Sequence, residues 1–309
     1  MNKSIYSVGS TEKLIIANNL FGSENYVVEA INNYGVSIIA STQMDSHYDD
    51  AHPIYTLKLT YPRFIHAEVM THRVFSRNAS SSRARPVAGE IERIALNCAQ
   101  PLVWTKNQAG MQGREYMGEL SSNLQAHWVM SAQTACSDAQ HMSALGAHKQ
   151  HVNRILEPYQ LIDVVLTSSD LRNFWDLRCH EDAQPEIRFL AELMRFAVMN
   201  VEPRKGSVHL PFVGLDLVEE FEARQPRNIA AYVNTLGVRS DIQELLDRSV
   251  AACARVSYRN HDNSEPDAVK DRALFDMLFT SKHMSPFEHQ VISVAKVEIM
   301  SGVVSKGNL

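Results

Sequence analysis

Arg73, Arg77 and Arg83 stand with His72, Asn78 and the serines Ser76, Ser80, Ser81 and Ser82 inside the single stretch Thr71–Arg83. This density of hydrogen-bond donors, with no acid among them, suits a ligand rich in anionic oxygens, phosphate above all. The competing reading is a solvated surface turn, which basic, serine-rich loops often are. A second stretch with chemical potential is Asp170–Ile187, where Arg178 falls at the junction between two helical patterns. A long guanidinium at such a junction can reach into a cleft, or can pair locally with Glu181 or Asp182.

The elements that must carry these residues follow from periodicity. Residues 54–60 (Ile-Tyr-Thr-Leu-Lys-Leu-Thr) alternate as a strand, Pro62 suits a first helical turn, and Phe64–Phe75 reads as a helix with Glu68, His72 and Phe75 on one face. Asn78–Ser82 is poor in helix formers and reads as a loop, with helix restarting after Pro86 over Gly89–Asn97. Around Arg178 the pattern gives a helix ending at that residue, a turn over Cys179–Ala183, and a new helix over Pro185–Asn200.

Both stretches resemble the flavin-dependent thymidylate synthase family. That family carries Arg-His-Arg-x-x-Ser-x-Asn-Glu-x-Ser-x-Arg, and His72, Arg73, Ser76, Asn78, Ser81 and Arg83 match in register, with Thr71 in place of the first Arg and Ala79 in place of the Glu. Its second pattern, Asn-Phe-x-Asn-Leu-Arg-x-x-x-His-Ala-Gln-x-Glu-Ile, is met by Asn173, Phe174, Leu177, Arg178, Ala183, Gln184, Glu186 and Ile187, while Asp176 and Asp182 replace Asn and His. Upstream, Asn153-Arg154-Ile155-Leu156 and Pro158 are similar to the family's Ala-Arg-x-x-Leu-Pro. Glu68 stands where the family has Gln. Ala254-Arg255-Val256-Ser257-Tyr258 and Pro286-Phe287-Glu288-His289 look like two further family signatures. In the usual order these last two precede the arginine-rich motif. Here they follow it, so the chain looks circularly permuted, with the joining strand represented twice, at 54–60 and 291–298.

The resemblance implies an α+β, helix-rich fold with a small, mainly antiparallel sheet. It implies one domain over 1–309: a lead-in at 1–53, a core with the motif at 54–200, an insertion at 201–238 and a permuted segment at 239–309. It implies transfer of a one-carbon unit from methylenetetrahydrofolate to C5 of deoxyuridine monophosphate, with FAD as cofactor and NADPH as reductant, in a homotetramer. Carried over by position, His72, Arg73 and Asn78 contact the flavin or its phosphates, and Asn173 its ring region. Ser257 and His289 border flavin and folate. Ser81 and Arg83 hold the nucleotide phosphate with Arg154 assisting and Glu68 on the substrate side. Arg178 addresses the pyrimidine, and Arg178 and Ser81 are the catalytic pair. Two alternatives stay open: a pyrimidine-nucleotide C5 hydroxymethylase on the same scaffold, and a nucleotide- or flavin-binding protein without turnover. The permutation also predicts that Pro286–His289 folds back beside residues 71–83, within one chain or across an interface.

Composition narrows the rest. The 309 residues are 45% apolar and 21% charged, ordinary for a globular chain. A net charge of −5 argues against a broad nucleic-acid surface. No apolar run approaches the roughly 20 residues that span a bilayer, and the N-terminus lacks a signal-peptide core. Cys98, Cys136, Cys179 and Cys253 form no C-x-x-C pair, which predicts a reduced, cytoplasmic protein.

The remaining segments carry weaker signals. Ser23 to Tyr34 reads as a helix before a strand at 36–40, and Asp45, His47, Asp49, Asp50 and His52 imitate a metal cluster without ligand spacing. Pro101–Gly113 is an irregular loop that could cover a ligand. Arg114–Leu145 and His148–Leu156 read as helices; His141, His148 and His151 lack a companion acid, so no metal site is expected. Leu161–Leu166 is an apolar run. Helices are expected at 215–224, 241–256 and 265–281, and a strand at 291–299.

Overall fold

The computed structural model describes residues 14–17, 25–30, 34–44, 52–224, 241–256 and 265–293. Strands β1 (Leu14–Ala17), β2 (Asn25–Ala30), β3 (Tyr34–Met44), β4 (Ile54–Pro62), β5 (Ser76–Ala79), β6 (Leu161–Ser168) and β7 (Arg204–Gly206) build one seven-stranded sheet. The order is β1-β2-β3-β4-β6-β5, antiparallel throughout, and β7 joins β3 in parallel. A two-residue pair, β8 (Val208–His209) and β9 (Val291–Ile292), ties the segment after β7 to the far end of the described chain. Helices are α1 (His66–Val69), α2 (Val87–Leu96), α3 (Ser121–Ala144), α4 (Lys149–Val152), α5 (Arg172–Arg178), α6 (Pro185–Met199), α7 (Leu215–Arg224), α8 (Asp241–Arg255) and α9 (Ala268–Thr280). The fold is therefore helix-rich with a small, mainly antiparallel sheet, as expected from the sequence.

Strand alternation gives the sheet two buried faces. Leu57, Leu59 and Tyr61 of β4 and Ile162, Val164 and Leu166 of β6 point to one side, where Phe174 of α5 and Ile187, Leu190, Ala191 and Met194 of α6 cover them. Val165 points to the other side, against Phe212 and Ala252, Cys253 and Val256 at the end of α8. Burial on both faces explains why β6 reads as a nearly continuous apolar run rather than an alternating one.

Five expectations change, the first being that the helix read over Arg114–Leu145 begins only at Ser121, after a 3-10 turn at Gly118–Leu120. The helix read over Ser23–Tyr34 is strand β2 instead; the Tyr26-Val27-Val28 run has the aromatic and β-branched character that strands favour, and its pairing with β3 outweighs the capping signal of Ser23. The helix read over Phe64–Phe75 is one 3-10 turn (Arg63–Ile65) and one α turn, and stops at Val69. The loop read over Asn78–Ser82 begins as edge strand β5, paired with β6 from Ser76↔Thr167 to Ala79↔Val164. His148–Leu156 is α4 followed by a 3-10 segment, Asn153–Tyr159, that runs through Pro158. By contrast, α6, α7 and α8 lie where periodicity put them, within a residue or so at each end. Asp45, His47, Asp49 and Asp50, Ser257 and residues 294–299 lie outside the described residues.

Candidate active site

The arginine-rich stretch is distributed around β5, and each part meets a different element. On one side is Arg178, the last residue of α5. Its Nε donates to Nε2 of His72 at 2.9 Å, Nη1 to Oε2 of Glu68 at 3.2 Å and Nη2 to Oγ1 of Thr71 at 3.3 Å. The helix can deliver Arg178 here because Cys179 leaves helical geometry and Pro185 starts α6, so the chain turns at that point. His72 is held edge-on to Phe174, at 4.8 Å between ring centroids, and stacked with Phe75 at 5.7 Å. Burial, then the positive charges of Arg178 and Arg77, hold the His72 imidazole below its ordinary pKa. A neutral ring with Nε2 free of hydrogen is what accepting from Arg178 demands.

Arg77 has a supporting role that its motif position did not suggest. Its Nη1 donates to the carbonyls of Met70 at 2.9 Å and His72 at 3.0 Å, closing the turn that presents Thr71 and His72.

On the second side the loop after β5 is pinned to the 3-10 segment Asn153–Tyr159. Ser82 Oγ donates to Glu157 Oε1 at 2.8 Å, and Arg154 Nη1 reaches the same oxygen at 2.8 Å. Asn153 Nδ2 donates to the carbonyls of Ser82 at 2.7 Å and Arg85 at 3.0 Å. Ser81 and Arg83 are left facing solvent, and the Ser81 hydroxyl accepts from the Arg83 N–H at 3.3 Å. Among the described residues the side chains of Arg73 and Arg83 are exposed and form no ion pair. Arg154, in contrast, is committed to Glu157.

The third side holds the segment read as permuted. Asn78 Nδ2 donates to the carbonyls of Cys253 at 2.6 Å and Ala254 at 3.2 Å, and its Oδ1 accepts from Ser285 Oγ at 3.2 Å. Pro286 to Glu288 thus fold back beside β5 within the same chain. His289 is fully buried and contacts Thr167 Oγ1 through Nδ1 at 2.8 Å. A hydrogen-bonded chain continues from there: Thr167 to Thr56 at 2.6 Å, Thr56 to His209 Nε2 at 2.8 Å, His209 Nδ1 to Thr42 at 2.9 Å. The order that gives each hydroxyl proton an acceptor runs from Thr42 through His209, Thr56 and Thr167 to His289. It ends on His289 Nε2, which has no partner. Burial lowers both imidazoles, His209 to about 3 and His289 to about 4.

Of the residues named from sequence, Glu68, His72 and Arg178 therefore converge directly; Ser81, Arg83 and Arg154 share the pinned loop and its support; Asn78 and His289 share the third side. Asn173 is exposed on α5, without a hydrogen bond to these groups, and Arg73 is exposed beside His72. Sequence reading named Arg77 and Asn153 without giving either a role, and missed Glu157, Thr56, Thr167 and His209. The two threonines could be joined only through the β4–β6 register, where Thr56 faces Thr167.

The motif departures also acquire surroundings. Thr71 and Glu68 both accept from Arg178. Ala79 packs against the main apolar core. Asp182 accepts from the Gln112 side chain through its carbonyl, and Leu102 N donates to Glu186 Oε1 at 2.8 Å. The loop containing Pro101–Gly113 is thereby tied down across the α5–α6 turn, close in sequence to Arg178.

Among solved structures, the chain is similar to a UMP/dUMP methylase, PolB from Streptomyces cacaoi, bound with 5-Br UMP. The match has 18% identity and a TM-score of 0.46, covering 54% of this chain and 89% of that one. The same enzyme bound with 5-Br dUMP gives 18% identity, a TM-score of 0.45, and coverage of 55% and 92%. Compared with curated proteins, the sequence finds no match. The family model described as thymidylate synthase complementing protein matches residues 45–204, just over half of the chain and the whole of the region from β4 to α6. On that match, the chain belongs to the thymidylate synthase complementing protein family.

Proposed function

We propose that the protein methylates deoxyuridine monophosphate at C5, taking the one-carbon unit from methylenetetrahydrofolate, with FAD bound and NADPH as reductant. The observation that carries this reading is Arg178, oriented by three acceptors on one short segment that continues into exposed Arg73. Exposed, unpaired Arg83 beside the Ser81 hydroxyl is a donor pair suited to phosphate. The similar PolB enzyme is described with bound pyrimidine nucleotides, which agrees with that chemistry.

The residue types also fit a flavin. His289 ends the threonine–histidine chain on an unpartnered Nε2, and Arg73 and His72 flank the motif, so His72, Arg73, Asn78, Asn173, Ser257 and His289 are the groups proposed to hold it. When bound, the flavin supplies the hydride. The protein's share is then placement and charge: Ser81 and Arg83 anchor the nucleotide phosphate with Arg154 behind them, Glu68 borders the substrate, and Arg178 favours negative charge developing on the pyrimidine. No enzyme nucleophile is required in this division of labour.

A homotetramer is proposed as the working form. Helix α3 runs for 24 residues, yet Ala132 and Ala139 are its only fully buried positions among the described residues, and Leu120 and Met130 are exposed. Light scattering on the purified protein checks the mass.

The test of function is one incubation. Purified protein is inspected for a flavin spectrum, then given deoxyuridine monophosphate, methylenetetrahydrofolate and NADPH. Thymidylate is the expected product; a hydroxymethylated nucleotide would move the assignment to the sister reaction, and ligand binding without product would make it a binding protein. Arg83→Ala is expected to weaken nucleotide affinity at least tenfold while leaving the melting temperature within a degree or so, because that side chain holds nothing in the fold; unchanged affinity on calorimetric titration would contradict its role.

A further inference from the structure

The loop between β5 and α2 is held at intervals along its length. Ser80 N donates to the Asp163 carbonyl on β6 at 2.9 Å. Ser82 is buried, with its hydroxyl on Glu157 and its carbonyl on Asn153. The Ala84 carbonyl accepts from Lys149 Nζ at 2.9 Å, and the Arg85 carbonyl from Asn153 Nδ2 at 3.0 Å. Ser81 and Arg83, the residues between these ties, are exposed. The loop therefore turns those two side chains outward and fixes the chain on either side of each.

Arg85 closes this loop onto the sheet. Its Nη2 donates to Ser80 Oγ at 3.1 Å and to Asp163 Oδ2 at 2.9 Å, and its Nη1 reaches Glu90 Oε1 at 3.4 Å. One guanidinium thus joins the start of the loop, strand β6 and helix α2. Its carboxylate partners are themselves fixed. Asp163 Oδ1 accepts from Thr60 Oγ1 at 2.8 Å, and Arg93 lies 3.4 Å from Asp163 and 3.7 Å from Glu90. Glu90 is 5% exposed and Asp163 19%, so these pairs are shielded from the screening that weakens surface ion pairs. The planar guanidinium spans three acceptors from two nitrogens. A lysine ammonium, a point charge on a flexible stem, does not hold such a set in fixed directions.

We propose that Arg85 is a positioning residue for phosphate binding: it sets the geometry in which Ser81 and Arg83 meet the nucleotide, without touching the nucleotide itself. The inference rests on the reading above that Ser81 and Arg83 hold that phosphate. The side-chain contacts of Arg85 lie within the protein, so its contribution passes through the loop. Donors already held in place lose less freedom when a ligand arrives, and a displacement of about 1 Å is enough to weaken their grip severely.

The experiment measures the affinity of the full-length protein for deoxyuridine monophosphate by isothermal calorimetry, with thermal melts in parallel. Arg85→Met, which keeps the bulk but not the contacts, is expected to weaken binding about tenfold. The decisive readout is coupling. On an Arg83→Ala background the same substitution is expected to cost less than about threefold, because most of what Arg85 positions is gone. An equal effect with and without Arg83 overturns the proposal. Arg85→Lys keeps the charge and is expected to recover only part of the loss; full recovery would make Arg85 a distant charge and overturns its positioning role. If Arg85→Met does not fold, Ser80→Ala, which keeps every charge and removes one contact, is expected to weaken binding with the same dependence on Arg83, and unchanged affinity there overturns the proposal. The two readings fail separately. Unchanged affinity in Arg83→Ala means that the loop is not the phosphate site, and the inference falls with it. Weakened binding in Arg83→Ala, with none in folded Arg85→Met, overturns this inference alone.

Discussion

Arg178 engages all three of its guanidinium nitrogens on the segment from Glu68 to His72. The two positions at which that segment departs from the family pattern, Thr71 and Glu68, are both acceptors of this one side chain, so the departures act together. Arg178→Lys offers no planar fork and is expected to lower kcat/KM by roughly 100-fold with little change in stability, as for loss of a preorganised donor; steady-state kinetics beside thermal melts checks the split. His72 adds a pH dependence. It must be neutral to accept from Arg178, and the charged groups acting on it are Arg178 on α5 and Arg77 on β5. Because its pKa is depressed, the contact is intact above about pH 6.5 and is lost as pH falls through the lower folded value. His72→Asn keeps an acceptor without a titrating proton, and is expected to remove that acid limb from the activity profile.

At the scale of elements, β5 is the hub: β6 pairs its backbone, and Asn78 holds the end of α8 and the turn at Ser285–Glu288. Asn78→Ala leaves two carbonyls without their donor and is expected to cost about 1–3 kcal/mol, seen as a lower denaturation midpoint and faster hydrogen exchange over residues 285–289. The buried His209 and His289 make a second expectation. Both are neutral when folded and take up protons near pH 6.5 when unfolded, so stability is full above that pH and falls as the solution is acidified toward about 4 and about 3. His209→Gln should flatten part of this decline in a denaturation series across pH. The sequence made the α5–α6 junction legible because Pro185 and the polar turn before it punctuate the chain. It hid β5, since Ser76-Arg77-Asn78-Ala79 lacks strand patterning and becomes a strand only through its partner. It hid the threonine–histidine chain for a related reason: Thr56 and Thr167 lie 111 residues apart and meet through register alone.

For the whole molecule, the contact between the last described turn and β5 is the consequential one. The turn at Ser285–Glu288 docks beside β5 within the same chain, where the sequence expected Pro286–His289 to fold back. β8 with β9, the Asn78 bonds and the Thr167–His289 bond all join residues beyond 241 to the central sheet or to the segment after it. The parts are therefore expected to unfold together: tryptophan fluorescence, reporting Trp104, Trp128 and Trp175, and far-ultraviolet circular dichroism should trace one coincident transition in urea. Two separated transitions would mean that residues after 241 form a unit of their own.

Gln290 lies over α8, its Nε2 donating to Ser249 Oγ at 3.1 Å and approaching Cys253 Sγ at 3.6 Å. Cys253 is wholly enclosed and its thiol is pushed far up by burial, whereas Cys98, Cys136 and Cys179 are partly accessible. A thiol-specific label added to the native protein would then reach Cys253 only during moments when the turn lifts away. The lag before that last sulfur is modified becomes a natural stopwatch for how often the tail of this fold lets go.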